Sequence, residues 1–209
     1  MSVLVELELT EKLAKYATPT LFEVSPQVYA LAPGITPLYR PIHLWGTAYP
    51  VLTVTGDNSA IHHAVAKAPA GSVLVIATGQ DIGRGYWGEI LMEAALARGI
   101  RGLIIDGGVR DTKAIRERSF PVFCGAVAIP GTSKDRGGVL NQPVIVAQVL
   151  VRPGDFIVGD DDGVVVVHIE DLRRVLEAAE TRVQKESRIV ERIRQGELTV
   201  NLFNLKSED

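Results

Sequence analysis

The chain has 209 residues, 46% of them apolar and 22% charged, with a formal net charge of −3. That is ordinary globular composition, long enough to bury a substantial core and without an overall positive field to draw nucleic acid. Its single cysteine, Cys124, excludes an intrachain disulfide and a cysteine-based zinc cluster, and its apolar runs are too short to span a membrane.

The N-terminal run Met1-Ser-Val-Leu-Val-Glu-Leu-Glu-Leu9 contains acids and no basic flank, so it is a poor signal peptide, and the chain reads as a cytoplasmic protein of one domain, residues 1–209. Residues 10–17 predict a short helix with Thr10 as its N-cap, and Pro19 suits the start of a second one over 18–23. Three prolines in 26–37 and another at 41 predict an irregular loop. Residues 46–55 alternate and are β-branched, as in a strand, and 58–68 read as a helix. A strand over 73–77 leads into a glycine-rich loop, 78–87, and then a helix over 88–98 closed by Gly99. A strand over 102–106, a helix over 111–118 and short strands within 120–129 follow. Residues 130–142 read as a polar loop able to cover or line a site, and 144–151 as one strand. Residues 156–159 and 164–168 form a hairpin with an Asp-Gly turn, and 169–195 form a long amphipathic helix ended by Gly196. Strand-helix alternation in the middle, then a β-rich segment and a terminal helix, predict a mixed α/β architecture.

Candidate chemistry gathers in two glycine-rich stretches. In the first, the apolar run Leu103-Ile-Ile105 empties into Asp106-Gly-Gly108, followed by Arg110 and Asp111. Glycines let backbone approach a ligand, arginine offers a planar fork for a carboxylate, and aspartate is a hard oxygen ligand for a divalent cation. The same residues also read as a βα turn bearing a surface ion pair, and pattern alone leaves both open. In the second stretch, Gly83, Gly85 and Gly88 precede a helix whose first N–H groups lack intrahelical partners and attract anions. No Gly-Lys-Ser/Thr follows, so it is not a P-loop. Gly83-Arg-Gly-Tyr-Trp-Gly88 fits a dinucleotide fingerprint loosely, with Asp106 as the ribose acid, but Arg110 and Asp111 have no part in adenosine recognition. Both stretches follow neighbouring strands at their C-terminal ends, the edge where α/β sheets bind ligands. Together they suit a small α-keto acid chelated by a divalent metal.

Other residues read as structural. His62 and His63 are adjacent on a helix and point about 100° apart, so they do not readily share a metal. Asp160-Asp161-Asp162 reads as a solvated hairpin turn, Cys124 as a small buried hydrophobe, and Trp45, Tyr86 and Trp87 as packing. Lys67, Lys113 and Lys134 keep a Schiff-base mechanism as an alternative, but none lies in either glycine stretch, which counts against it.

The run Gly88-Glu-Ile-Leu91, followed by Gly102-Leu-Ile-Ile-Asp-Gly-Gly-Val-Arg-Asp111 with a 22-residue step from Gly88 to Arg110, resembles the RraA-like family. Tyr39-Arg-Pro41 before Gly46-Thr-Ala48, Asp57-Asn58 with Ile61-His62, Pro121-Val-Phe123 and Pro153-Gly-Asp155 before Asp160–Val167 extend the resemblance over about residues 10–196. That family includes class II 4-hydroxy-4-methyl-2-oxoglutarate aldolases. The resemblance implies an α/β fold of the swivelling β/β/α type, with a central sheet flanked by helices and a long C-terminal helix, assembled as a homotrimer or a hexamer of trimers. It implies a metal-dependent aldolase that cleaves 4-hydroxy-2-keto acids to pyruvate and decarboxylates oxaloacetate. The amides of Gly88, Glu89, Ile90 and Leu91 would hold the pyruvyl carboxylate, Arg110 would contact the substrate, and Asp111 would bind Mg2+ or Mn2+. Glu89 would lie near the metal's waters as a catalytic acid, and Glu186, from a neighbouring subunit, and Asp106 would stand in the outer shell. The expected partner is a small 2-keto acid rather than nucleic acid or membrane. Some relatives are non-catalytic regulators that bind and inhibit a ribonuclease, and a menaquinone-pathway methyltransferase name is also attached to the family. Asp106, Arg110, Asp111 and Glu89 favour an enzyme over the regulator, and the glycine loop fits a keto acid better than a methionine-derived cofactor.

Overall fold

The computed structural model describes residues 3–206, with side chains from Glu8 onward. Its helices are α1 (Val3–Leu13), α2 (Thr18–Glu23), α3 (Ser59–Lys67), α4 (Glu89–Ala97), α5 (Thr112–Glu117), α6 (Leu172–Arg194) and α7 (Thr199–Leu202). Its strands are β1 (Val28–Ala30), β2 (Thr36–Pro37), β3 (Leu44–Thr53), β4 (Ser72–Ala77), β5 (Gly85–Trp87), β6 (Gly102–Val109), β7 (Val122–Val127), β8 (Gly138–Leu140), β9 (Val144–Val146), β10 (Val149–Val151), β11 (Phe156–Asp160) and β12 (Gly163–Val167). The main sheet runs β1-β12-β11-β3-β4-β6-β7-β2, with β5 added beside β6 and β8 beside β3. Its centre, β3-β4-β6-β7, is parallel, and its flanks are antiparallel.

Period-two alternation divides this sheet between its layers. Leu74, Ile76, Leu103 and Ile105 face the helical layer, packing with Ile61, Val65, Leu91, Met92 and Ile115 from α3, α4 and α5. Val73, Val75 and Ile104 face the other way, against Val144, Val146, Val149 and Val151 of the β9–β10 hairpin. On the antiparallel flank, Val165 and Val167 of β12 meet Leu13, Leu21, Leu172, Val175 and Leu176 from α1, α2 and α6. Because β4 and β6 are buried on both faces, they read as unbroken apolar runs.

Several expectations are corrected. The N-terminal helix begins at Val3, so Thr10 lies inside it rather than capping it. The proline-rich segment contains the edge strands β1 and β2. The candidate strands of 120–129 are one strand, β7, and the loop 130–142 includes β8. The single strand expected over 144–151 is a hairpin, turned at Ala147 and Gln148 with φ of 45° and 68°. Tight hairpins need such left-handed residues, but neither is glycine or asparagine, so the turn carried no signal. The short helix α7 was not foreseen.

The acidic triplet Asp160–Asp162 is more than a solvated turn. Asp160 accepts hydrogen bonds from the Thr18 amide at 2.8 Å and hydroxyl at 2.7 Å, capping α2 from a distant strand, and Asp161 accepts the Ile42 amide at 2.8 Å. Among the described residues no helix is long and apolar enough to cross a membrane.

The Asp106-Gly107-Gly108 segment is not a turn either, because β6 continues through it to Val109. Here the glycines admit neighbours. A Cβ on Gly108 would lie 2.5 Å from the Arg84 carbonyl oxygen and 2.9 Å from the Ala128 Cβ, and one on Gly107 would lie 2.8 Å from the Thr78 hydroxyl. The register with β7 shifts over this stretch. Gly108→Ala is therefore expected to destabilise the fold by about 1–3 kcal/mol, since the backbone it meets cannot move aside cheaply. Urea unfolding should show a lower midpoint at an unchanged m-value, and an unchanged midpoint would contradict the close approach.

Candidate functional site

Two sequence-distant turns meet at the C-terminal end of the parallel strands. Asp111, just past β6, has φ 55° and ψ 38°, a left-handed conformation uncommon for a residue with a side chain and often associated with functional sites. Its Oδ2 accepts the Glu89 amide at 3.0 Å, so the carboxylate rests on the open N-terminus of α4. Amides and helix dipole both favour negative charge there. Gly88 makes the room, since a Cβ at that position would collide with Asp111 Oδ2.

Arg110 is laid out over glycines in the same way. A Cβ on Gly85 would come within 3.1 Å of its stem, one on Gly88 within 3.2 Å, and one on Gly131 within 3.3 Å of its guanidinium. Its Nε lies 3.9 Å from Asp111 Oδ2, and the two side chains are 45% and 43% exposed. Ion pairs this exposed contribute little to stability, so the pair is not explained as a structural tie.

These residues open onto a pocket of about 270 Å³. Gly88, Ile90, Leu91, Arg110 and Asp111 form one side, while Asn58 and His62 from the start of α3 and Thr132 and Lys134 from the loop between β7 and β8 line the remainder. A more open groove of about 430 Å³ runs past Phe22, Tyr29 and Val149. It is mainly apolar and contains none of this constellation, so chemistry rather than volume selects the smaller pocket. Tyr86 and Trp87 form the inner wall and are fully buried. Trp87 stacks on Phe120 with ring centroids 5.8 Å apart, and Tyr86 donates to Asp81 at 2.6 Å. Burial first, then that carboxylate, pushes the Tyr86 phenol up to about 12, so it stays protonated at neutral pH.

Gly88, Glu89, Ile90, Leu91, Arg110 and Asp111 are thus brought together, though Glu89 joins through its backbone amide. The side chains of Glu89 and Ile90 are exposed, and that of Glu89 forms no part of the pocket wall. Asp106 is not brought to the pocket. Its Oδ1 accepts the Thr78 amide at 2.5 Å and hydroxyl at 2.7 Å, and its Oδ2 accepts the Gln80 amide at 3.3 Å, so it braces the turn after β4. Glu186 lies on α6, paired with Arg182 at 2.7 Å, and a single chain does not bring it to the pocket.

Among the described residues no group of three or more His, Cys, Asp and Glu is arranged to hold a metal. Asp111 is the one carboxylate among the residues that line the pocket, a single hard oxygen ligand. That suits Mg2+ or Mn2+, which accept one or two carboxylates and complete their shell with water and ligand oxygens, and it is unsuited to zinc's usual nitrogen and sulfur set.

His62, read from sequence as structural or superficial, lines the pocket, as does Lys134. The available signal was the four-residue step from Asn58 to His62, which places both on one helix face. Nothing local placed residues 132–134 beside α3. Burial first, then Lys134, then His63, hold the His62 imidazole below its ordinary value.

The RraA-like family profile, described as Aldolase/RraA, matches residues 18–166. A protein of Halalkalibacterium halodurans named "Putative 4-hydroxy-4-methyl-2-oxoglutarate aldolase" is 36% identical over 152 residues, covering 73% of this chain and 72% of that one. An uncharacterized protein from Pseudomonas syringae pv. tomato superposes with a TM-score of 0.83 at 28% identity, covering 92% and 91% of the two chains. The RNA-processing inhibitor RraA from Thermus thermophilis superposes with a TM-score of 0.68 at 25% identity, covering 73% and 93%.

The environment of His62 yields a direct check. Its NMR titration midpoint should fall below the ordinary histidine value near 6.5, leaving the ring neutral at pH 7, and Lys134→Ala should raise that midpoint. A midpoint at or above 6.5 would show that neither burial nor the lysine acts on it.

Proposed function

Because this chain belongs to the RraA-like family, we propose that it is a divalent-metal-dependent lyase, cleaving 4-hydroxy-2-keto acids to pyruvate and decarboxylating oxaloacetate. The observation that carries this reading is the Asp111 carboxylate seated on the amide end of α4 with Arg110 beside it.

Asp111 would hold the cation, which when bound would polarise the 2-keto oxygen and stabilise the negative charge developing there. Of the amides opening α4 at residues 88–91, that of Glu89 donates to Asp111, and the others would take the substrate carboxylate beside it, where the helix dipole assists. Arg110 would direct its guanidinium at the same developing oxyanion, an interaction stronger in the transition state than in the ground state. As the C3–C4 bond breaks, the 4-hydroxyl loses its proton and C3 of the pyruvyl fragment gains one. Because the Glu89 side chain lies outside the pocket wall, its carboxylate would act through a water it orders, which would carry that proton. Lys134, with Thr132 and His62 nearby, suits a second anionic group on the part of the substrate remote from the keto acid. Glu186 would reach an outer position from a neighbouring copy in a trimer or hexamer.

The likeness to a protein titled an RNA-processing inhibitor supports a second reading, a regulator that captures a ribonuclease. One screen separates the two: pyruvate release from 4-hydroxy-2-keto acids and oxaloacetate, with and without magnesium. The lyase reading expects metal-dependent release that Asp111→Ala abolishes and that Arg110→Ala lowers by about 10²–10³-fold in kcat. Full activity in Asp111→Ala, or ribonuclease capture without release under any metal, would reverse the assignment.

A further inference from the structure

One ionisable group beside the pocket is absent from the chemistry above. Asp57 precedes α3 and is completely buried. Its Oδ1 accepts the Ser59 amide at 2.8 Å and also the Ser59 hydroxyl. Its Oδ2 accepts the Ser133 hydroxyl at 2.7 Å, the Asp135 amide at 2.7 Å and the Arg136 amide at 3.2 Å. Backbone bonds reinforce the junction, from the Asn58 amide to the Ser133 carbonyl at 3.0 Å and from the Ser133 amide to the Gly56 carbonyl at 2.8 Å. The Gly137 amide completes it by donating to the Ser59 hydroxyl at 2.9 Å. A buried carboxylate with this many donors is held as the anion. Burial alone would raise its pKa, but the hydroxyls of Ser59 and Ser133 and the surrounding amides more than offset that and hold it well below the usual carboxylate range.

The clamp joins two pocket walls. On one side Asn58 and His62 begin α3, and on the other Thr132 and Lys134 flank Ser133, whose hydroxyl Asp57 grips. Residues 130–137 otherwise form a glycine-bearing surface segment with little regular structure. We propose that Asp57 is a positioning residue for substrate recognition, fixing Lys134 and Thr132 at the distance from α3 that receives the anionic group remote from the keto acid. The inference rests on the reading of this pocket as a keto-acid site. It adds a residue that touches no substrate, acting through the loop it holds.

Asp57→Asn is nearly isosteric but replaces one acceptor oxygen with a donor that faces the donors of the loop. Two measurements test it on the full chain. In amide hydrogen exchange, residues 135–137 should be protected in the wild type and exchange about 100-fold faster in Asp57→Asn, with β4 and β6 unchanged. In steady-state kinetics, KM for a 4-hydroxy-2-keto acid bearing a second carboxylate should rise at least about tenfold. Over the same comparison kcat should change less than about threefold, and KM for an analogue with a methyl group in place of that carboxylate should rise much less. Lys134→Ala should give the same selectivity, and combining it with Asp57→Asn should add little. Ser133→Ala, which removes one bond of the clamp, should shift both readouts in the same direction by less.

Faster exchange throughout the sheet, or equal losses on both substrates, would reduce Asp57 to a general stabiliser and overturn the proposal. Wild-type protein that releases no pyruvate from any substrate would overturn the functional reading and this inference together. Active wild type with an unselective variant would overturn the assignment of Asp57 alone.

Discussion

A helix N-terminus leaves amide donors unsatisfied, and here that of α4 receives the carboxylate of Asp111 from the end of a neighbouring strand. Three conditions must hold together for this contact. Gly88 must lack a side chain, Asp111 must turn into the left-handed region, and β6 must run far enough to deliver it. The last condition depends in turn on Gly107 and Gly108, which let β6 pass the Thr78 hydroxyl and the Arg84 backbone without widening the sheet. The Asp111 carboxylate rests beside the amides proposed for the substrate carboxylate, and the charge of Arg110 lies next to it.

The carboxylates of the chain divide by their environment. Asp57, Asp106 and Asp155 are buried and satisfied by hydrogen bonds, Asp155 through the Arg152 amide at 2.7 Å and the His168 ring at 2.9 Å. Such groups hold turns in place, because leaving a buried charge unpaired would cost several kcal/mol. Asp111 is half-exposed and bound by one amide, with coordination capacity to spare. Sequence type does not separate these roles, which explains why Asp106 read as a site residue and Asp57 as an unremarkable member of a motif.

The cationic side of the pocket has a different origin. Lys134 and His62 converge because residues 133–137 return to the start of α3, where Asp57 and backbone bonds hold them. Shape and charge at this end are thus set by a buried polar junction, while the Asp111 end is set by glycines and a helix terminus. The two ends can vary separately, a useful property in a fold whose relatives carry both aldolase and inhibitor names.

The mixed α/β class, the central strands and the helices between them were legible in the chain itself, because side-chain periodicity belongs to consecutive residues. Val73 to Ala77 and Val164 to Val167 carry their faces in their own order. The candidate pair Arg110–Asp111 and the helix start at Gly88 were legible for a similar reason, since glycine spacing and terminal charge are local. Tertiary structure alone decided which acid faces the pocket, that Lys134 stands beside His62, that Glu186 lies elsewhere in a single chain, and that Ala147-Gln148 turns a hairpin. Each of these depends on contacts between segments far apart in the chain or on a backbone conformation its residue types do not favour, and no stretch of neighbouring residues encodes either one.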